Sequence, residues 1–461
     1  MTIQELHTFK EWIEKDCPTP NEIKTDLQTY ALDKIITCRR GVLEAFTGFG
    51  KTFTGLQLIR RYRKVYSAPI YIIVPTQPLK ELWELKVAEA GLMWNVSIHV
   101  INGYTMSDNV PKMCGLLIVD EVHRCLGESA KFFNTVLDTV CDFFVGFTAT
   151  LDDKQREFLE RKQAFVEFSI STDEGLELGI VPQFKIYNVV LPLTAEEQIA
   201  YYRADSLYNT QLEYFRSLTN DAFGLALMLS GKPTKTMVKF ENLNEIDASY
   251  NDILTLVENL TGDDRKEIIG RAVMFRNSMQ KRLRIVSNSE YKKAIIDQII
   301  TRVSNKKIIF MDSIESLKAL NAKHKGFISV YHSKQSAKLN KNNLEAFKLD
   351  ATNALAAVKS LDEGVDIPTL ELLINKHFTT KERQFTQRLG RILRIDLANP
   401  DKLPIMLNLC SEPFQVKVHG NEVTVTPQDY KTIHKITRSK MFVETIKPIQ
   451  LSHIQNLKIR T

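Results

Sequence analysis

From Tyr30 to Phe147 short apolar runs rich in β-branched residues alternate with helix-like stretches, at Gly41–Ala45, Ile70–Val74, Ser97–Ile101, Leu116–Val119 and Phe143–Phe147. A strand wet on one face alternates apolar with polar residues, whereas a strand covered on both faces does not. These runs therefore predict a parallel sheet sandwiched by helices. The pattern returns from Lys306 to about Asn408, at Lys307–Phe310, Phe327–Val330, Asn353–Val358, Leu370–Ile374 and Ile405–Leu407. The fold class predicted is α/β, with two tandem parallel-sheet domains. Between the two blocks, residues 195–302 read as an amphipathic helical insert, broken by a loop-like stretch at Gly231–Lys235. An extended segment at 184–193 is available as an edge strand of the second domain. Period-two alternation at Phe414–Val425, around Gly420-Asn421, predicts a β-hairpin. The expected division is 1–172, 173–410 and a C-terminal extension 411–461.

At 461 residues the chain is long enough for about three compact units. It lacks an apolar run of the ~18 residues that a membrane helix needs, and its first residues lack the order of a signal peptide. The six cysteines are scattered, with no C-x-x-C pair and no metal-ligand spacing with histidine. They imply a reducing compartment and no structural zinc. Sixty-one Lys plus Arg against 55 Asp plus Glu give +6, which permits a nucleic-acid partner without demanding one. The excess is concentrated in residues 431–461, with seven basic residues against one acid.

Ala45-Phe46-Thr47-Gly48-Phe49-Gly50-Lys51-Thr52 lies between an apolar strand and a helical pattern, the setting a phosphate-binding loop requires. Glycines let backbone N–H groups of Thr47, Gly48, Phe49 and Gly50 turn toward phosphate. Lys51 can reach the terminal phosphates, and the Thr52 hydroxyl can hold Mg²⁺. Ala45 replaces the usual first glycine. Asp120-Glu121-Val122-His123 directly follows a strand, so its carboxylates fall at the carboxyl end of the sheet. There Asp120 can hold Mg²⁺ through water and Glu121 can polarise the attacking water.

With these two motifs in this order, residues 25–395 resemble the superfamily 2 DExH-box helicases and translocases, whose two RecA-like domains bind ATP and Mg²⁺. Gly146-Phe147-Thr148-Ala149-Thr150 is similar to their third motif. The resemblance implies that His123, Thr148 and Thr150 couple the nucleotide site to the nucleic-acid track. Pro75-Thr76 with Leu79 is similar to motif Ia, a backbone contact, and the resemblance adds Lys359 to that set. Ile309–Ser313 resembles motif IV. Leu361–Pro368 resembles motif V and brings Gly364 and Asp366 to the nucleotide. Gln387–Arg394 matches motif VI, making Gln387, Arg391 and Arg394 catalytic. Arg391 and Arg394, three residues apart, share a helix face and can reach a transferring phosphoryl group, whose oxygens the planar guanidinium grips in pairs.

The family segment Leu-Arg-Pro-Tyr-Gln, whose glutamine reads adenine, is Leu27-Gln28-Thr29-Tyr30-Ala31 here, leaving Tyr30 to pack near the base. Leu151 stands where proline is frequent. Aromatics Tyr201, Tyr202, Tyr208, Tyr214 and Phe215 fit a core better than base stacking. The hairpin and basic tail fit two readings: contact with DNA, as a wedge for instance, or packing on the second domain. The motif V wording, the insert and the short chain are most similar to UvsW-type phage helicases. The expectation is an ATP-dependent motor on branched, forked or single-stranded DNA, monomeric and cytoplasmic in a bacterium or phage-infected host. An RNA helicase or a restriction-complex motor subunit is the alternative.

Overall fold

The computed structural model describes residues 1–106, 112–126, 134–218, 222–230, 262–358, 367, 369–377, 382–393, 399, 402–438, 440, 442–454 and 456–459. Two compact units are present. The first comprises 1–185 with 359–373 and 381–405, and the second 186–358, 374–380 and 406–461.

The first unit holds strands β1 (Arg40–Ala45), β2 (Ile70–Val74), β3 (Val96–Val100), β4 (Met113–Asp120), β5 (Val140–Thr148) and β6 (Phe165–Ile170). They form one six-stranded sheet in the order β3-β2-β4-β5-β1-β6, every pair parallel. Residues of β2 are buried throughout, as their uninterrupted apolar character requires. Register sets Glu44 beside Thr148 and Asp120 beside Phe147, so β1, β4 and β5 end level at one sheet edge. Helix Pro20–Cys38 is started by Thr19, whose hydroxyl and Glu22 form a reciprocal capping box ahead of Pro20. The expected boundary at 172 would cut helix Thr172–Glu177, which Ser171 and Glu174 cap in the same way, and the first unit continues to Lys185.

In the second unit β7 (Lys185–Leu191), β8 (Lys307–Phe310), β9 (Ile328–Tyr331), β10 (Ala354–Ala357), β11 (Leu372–Asn375), β12 (Ile405–Ser411) and β15 (Val443–Ile446) form a sheet ordered β15-β7-β12-β11-β8-β10-β9. Pairs β8–β10, β9–β10 and β7–β15 are parallel. The expected edge strand, β7, is thus not the edge, because β15 from the tail pairs outside it. The predicted hairpin forms from β13 (Phe414–Val418) and β14 (Asn421–Val425), with Gly420 at φ +84° in the turn. Residues 411–461 are therefore integrated into the second unit rather than appended to it.

Helices Ala195–Arg216, Ala222–Leu229 and Gly262–Ser287 bury Phe215, Leu225 and Phe275 in their own core. Tyr201, Val286, Phe414 and Val425 form a second cluster that seats the hairpin. Tyr201 and Phe215 are fully buried, which makes them core residues. The stretch Gly231–Lys235 lies outside the described residues. No helix among those described is long and apolar enough to cross a membrane.

Candidate functional site

After Ala45 the chain turns through 46–50 into helix Lys51–Arg63. Gly48 (φ +102°) and Gly50 (φ +96°) occupy left-handed backbone that a side chain would strain. Gly50 caps the helix without a side-chain bond, so the first-turn N–H groups are left for the loop's ligand. Lys51 folds back and donates to the Ala45 carbonyl at 2.8 Å, which holds its ammonium over the loop.

Two further residues brace this loop from helix Pro20–Cys38. Lys24 Nζ donates to the Gly48 carbonyl and Gln28 Nε2 to the Phe49 carbonyl, each at 2.6 Å. They stand four apart on one helix face, and Gln28 is buried. Tyr30, by contrast, donates its hydroxyl to Glu5 at 2.7 Å and packs edge-on to Phe9 and Phe168. Burial pushes the Glu5 carboxyl up, but Lys34, the Thr2 N–H and Tyr30 outweigh it and hold it at about 2. Tyr30 is thus tied to the N-terminal helix Ile3–Asp16, and Gln28 is the residue of this segment that touches the loop.

Asp120 ends β4, and Glu121 follows at φ +51°. The Trp83 indole donates to Asp120 Oδ2 at 2.9 Å, and the Glu121 N–H to its Oδ1 at 3.0 Å. Burial, reinforced by the Glu121 charge, raises the Asp120 carboxyl despite Trp83 and Lys51. Burial acts the same way on Glu121, but there His123, Lys51 and Arg124 prevail and the carboxyl is held down. The pair is therefore split, with Glu121 the acid its neighbours hold ionised and Asp120 the one that burial pushes up.

His123 Nδ1 lies 3.0 Å from Thr148 Oγ1 and 3.2 Å from Glu121 Oε2, and Thr148 donates to the Thr150 carbonyl at 3.2 Å. All three expected coupling residues are brought together. Glu44, overlooked in the sequence, closes this network from β1. Its Oε1 accepts the Leu151 N–H at 2.8 Å, while Oε2 accepts Arg156 at 2.6 Å and the Ser169 hydroxyl at 3.3 Å. Gln155, on the same helix as Arg156, donates to the His123 carbonyl at 3.2 Å.

Helix Glu382–Ile392 groups with the first unit, not with the second α/β block to which its sequence position assigned it. The reason is local: Gly390 packs on Thr47 of the loop so closely that a Cβ there would overlap the threonine. Gln387, Gly390 and Arg391 share a helix face, and Gln387 and Arg391 are buried. Among the described residues Gln387 Nε2 has no hydrogen-bond partner. Lys359, Gly364, Asp366 and Arg394 lie outside the described residues. Pro75 is buried, leaving half-buried Thr76, whose hydroxyl does not cap helix Gln77–Glu89, and exposed Gln77 for a backbone contact.

These residues suit a nucleoside triphosphate with Mg²⁺. Open space lies where a Cβ of Gly48 would stand, the buried Asp120 carboxyl is raised by burial and the neighbouring Glu121 charge, and among the described residues the Gln387 amide nitrogen is unbonded on the helix face that meets the loop.

A family model described as helicase conserved C-terminal domain matches residues 291–396, and one described as type III restriction enzyme, res subunit, matches 23–102. The DNA 3'-5' translocase XPB2 of Sulfurisphaera tokodaii is 25% identical over 384 residues, 80% of this chain and 78% of the relative. The pre-mRNA-splicing ATP-dependent RNA helicase prp28 of Botryotinia fuckeliana is 27% identical over 128 residues, 27% of this chain but 15% of that protein. The structure of S. cerevisiae Dbp5 bound to RNA and ADP BeF3 aligns over 92% of this chain and 90% of its own, with a TM-score of 0.52 and 10% identity, and so shares the two-domain RecA-like fold. Two stretches of the chain are thus similar to these helicase and restriction-subunit models, and the matches indicate an ATP-hydrolysing, nucleic-acid-dependent enzyme.

Proposed function

We propose that the chain is a monomeric ATP-dependent DNA translocase of the bacterial or phage-infected cytoplasm, moving 3′ to 5′ on branched or forked DNA. The observation that carries the reading is the level edge formed by β1, β4 and β5. It brings Lys51 and Thr52 of the loop, the Asp120-Glu121 pair and the Thr148–Thr150 turn to the carboxyl end of the same sheet, which supports their acting on one nucleotide. DNA is favoured over RNA because the DNA translocase is similar over most of this chain, whereas the RNA helicase is similar over a quarter of it. The branched substrate rests on the UvsW-like motif wording.

Thr52 and Asp120 would hold Mg²⁺, with the loop N–H groups and Lys51 on the phosphates. When bound, the metal neutralises charge building on the transferred phosphoryl group. Glu121, ionised beside His123, orients the attacking water and accepts its proton. Arg391 presents fixed positive charge to the same oxygens, and Gln387 orients water. His123 and Thr148 pass the state of the cleft to Thr150 and Leu151.

Steady-state ATP hydrolysis by wild type and Lys51→Ala tests this, without nucleic acid and with single-stranded, duplex, forked and four-way-junction DNA or structured RNA. Fork or junction stimulation, lost in Lys51→Ala, is expected. Stimulation by RNA alone would replace DNA as the substrate, and hydrolysis by Lys51→Ala at the wild-type rate would overturn the site. Strand displacement on substrates with a 3′ or 5′ tail reads the polarity.

A further inference from the structure

Helix Gln428–Thr437 follows the hairpin, and its roll about its own axis is fixed by buried polar bonds at both ends. In its first turn Asp429 Oδ2 accepts Lys292 Nζ at 2.7 Å and both the N–H and hydroxyl of Ser411 at 2.9 Å. In its last turn Thr437 Oγ1 accepts the Asn188 amide at 2.9 Å. Ile433 and Ile436 are buried between them. The one acid of the helix thus faces inward, and the opposite face carries Lys431, Lys435 and Arg438, all exposed, with half-buried His434 stacked on Tyr430 at 3.9 Å.

Helix stability does not account for this face. Cations near a helix C-terminus are favoured by the macrodipole, which explains Lys435 and Arg438. Lys431 stands in the second turn, nearer the end where a cation gains nothing. No carboxylate is paired with any of these three side chains among the described residues.

We infer that Lys431, Lys435 and Arg438 form a second nucleic-acid contact that grips one phosphate backbone, in addition to the motor's own track. From Lys431 to Arg438 the helix rises about 10 Å, so the three cations form a row short enough to meet neighbouring phosphates of one strand. Tyr430 and His434 add a flat surface beside them. This inference rests on the nucleic-acid motor proposed above.

The test is the full-length triple variant K431A/K435A/R438A against a control, R60A/K64A/K154A, that removes the same charge from exposed positions elsewhere. Binding to fluorescent duplex DNA, single-stranded DNA and structured RNA is measured by anisotropy from 50 to 300 mM salt, and hydrolysis is measured at saturating nucleic acid. Each lost phosphate contact on duplex lowers the log affinity against log salt slope by ~0.9, so a drop of about 2.7 is expected in the triple variant and none in the control. Maximal hydrolysis should stay within twofold, and the ligand showing the larger drop identifies DNA or RNA as the occupant. Normal binding and hydrolysis with an unmoved slope would overturn the surface alone, including the case in which it receives an acidic protein instead. Failure of the wild type to bind any nucleic acid would overturn the motor reading and this surface together.

Discussion

Trp83 offers the sharpest probe of the metal-side acid. The fully buried indole lies against the space beside Gly55 and donates to Asp120 Oδ2 at 2.9 Å. Hydrogen bonds to charged groups are worth about 1.5–3 kcal/mol, and one pKa unit is ~1.4 kcal/mol, so deleting this donor should raise the Asp120 carboxyl by about one to two units. The sign follows from which form the bond favours. The indole N–H stabilises the carboxylate, so Trp83→Phe enlarges the protonated fraction at any given pH, on top of the upward push that burial already exerts. Protons and Mg²⁺ compete for that oxygen pair. The Mg²⁺ concentration for half-maximal hydrolysis, followed from pH 5.5 to 8.5, should therefore begin its acid-side rise about one to two pH units higher in Trp83→Phe than in wild type. The two curves should converge at the alkaline end. The smaller ring also leaves a void costing about 1–3 kcal/mol, so the assay belongs well below the variant's melting midpoint. Curves that superimpose across the whole range would refute the role given to Trp83, and a shift to lower pH would refute the assignment of the raised acid.

Glu44→Gln keeps an oxygen for the Leu151 N–H but removes the charge that Arg156 pairs with. Unstimulated hydrolysis should stay within about twofold while nucleic-acid stimulation falls several-fold, and equal losses in both would make Glu44 merely structural. Gly390→Ala improves intrinsic helix propensity by about 1 kcal/mol, yet its Cβ would overlap Thr47. Hydrolysis should drop at least tenfold and recover in part with Thr47→Gly. An unchanged rate would show that the helix does not meet the loop as described.

How far the sequence reveals this molecule depends on what each residue must satisfy locally. β2 could be bounded to the residue because a strand covered on both faces is apolar without interruption, and β8 likewise apart from Lys307 at its start. β6 and β15 escaped the same reading. Each is an edge strand that is not buried throughout, so Phe165–Ile170 and Val443–Ile446 mix polar with apolar residues as loops do. The glycine loop and the Asp120-Glu121 pair were legible for a related reason, since phosphate and metal chemistry impose residue types at fixed short spacings. Trp83, Gln28 and Glu44 carry no such local mark, because their partners lie 37, 21 and 107 residues away. Glu44 nevertheless sat in plain view as the one acid within the buried strand Arg40–Ala45. A carboxylate in that position is too costly to bury without donors, so its presence already implied a charged partner and a converging backbone N–H at the carboxyl end of β1. A charge inside an otherwise apolar strand beside a phosphate loop therefore points to a network that spacing alone cannot reveal, and here that network holds the turn expected to couple hydrolysis to movement.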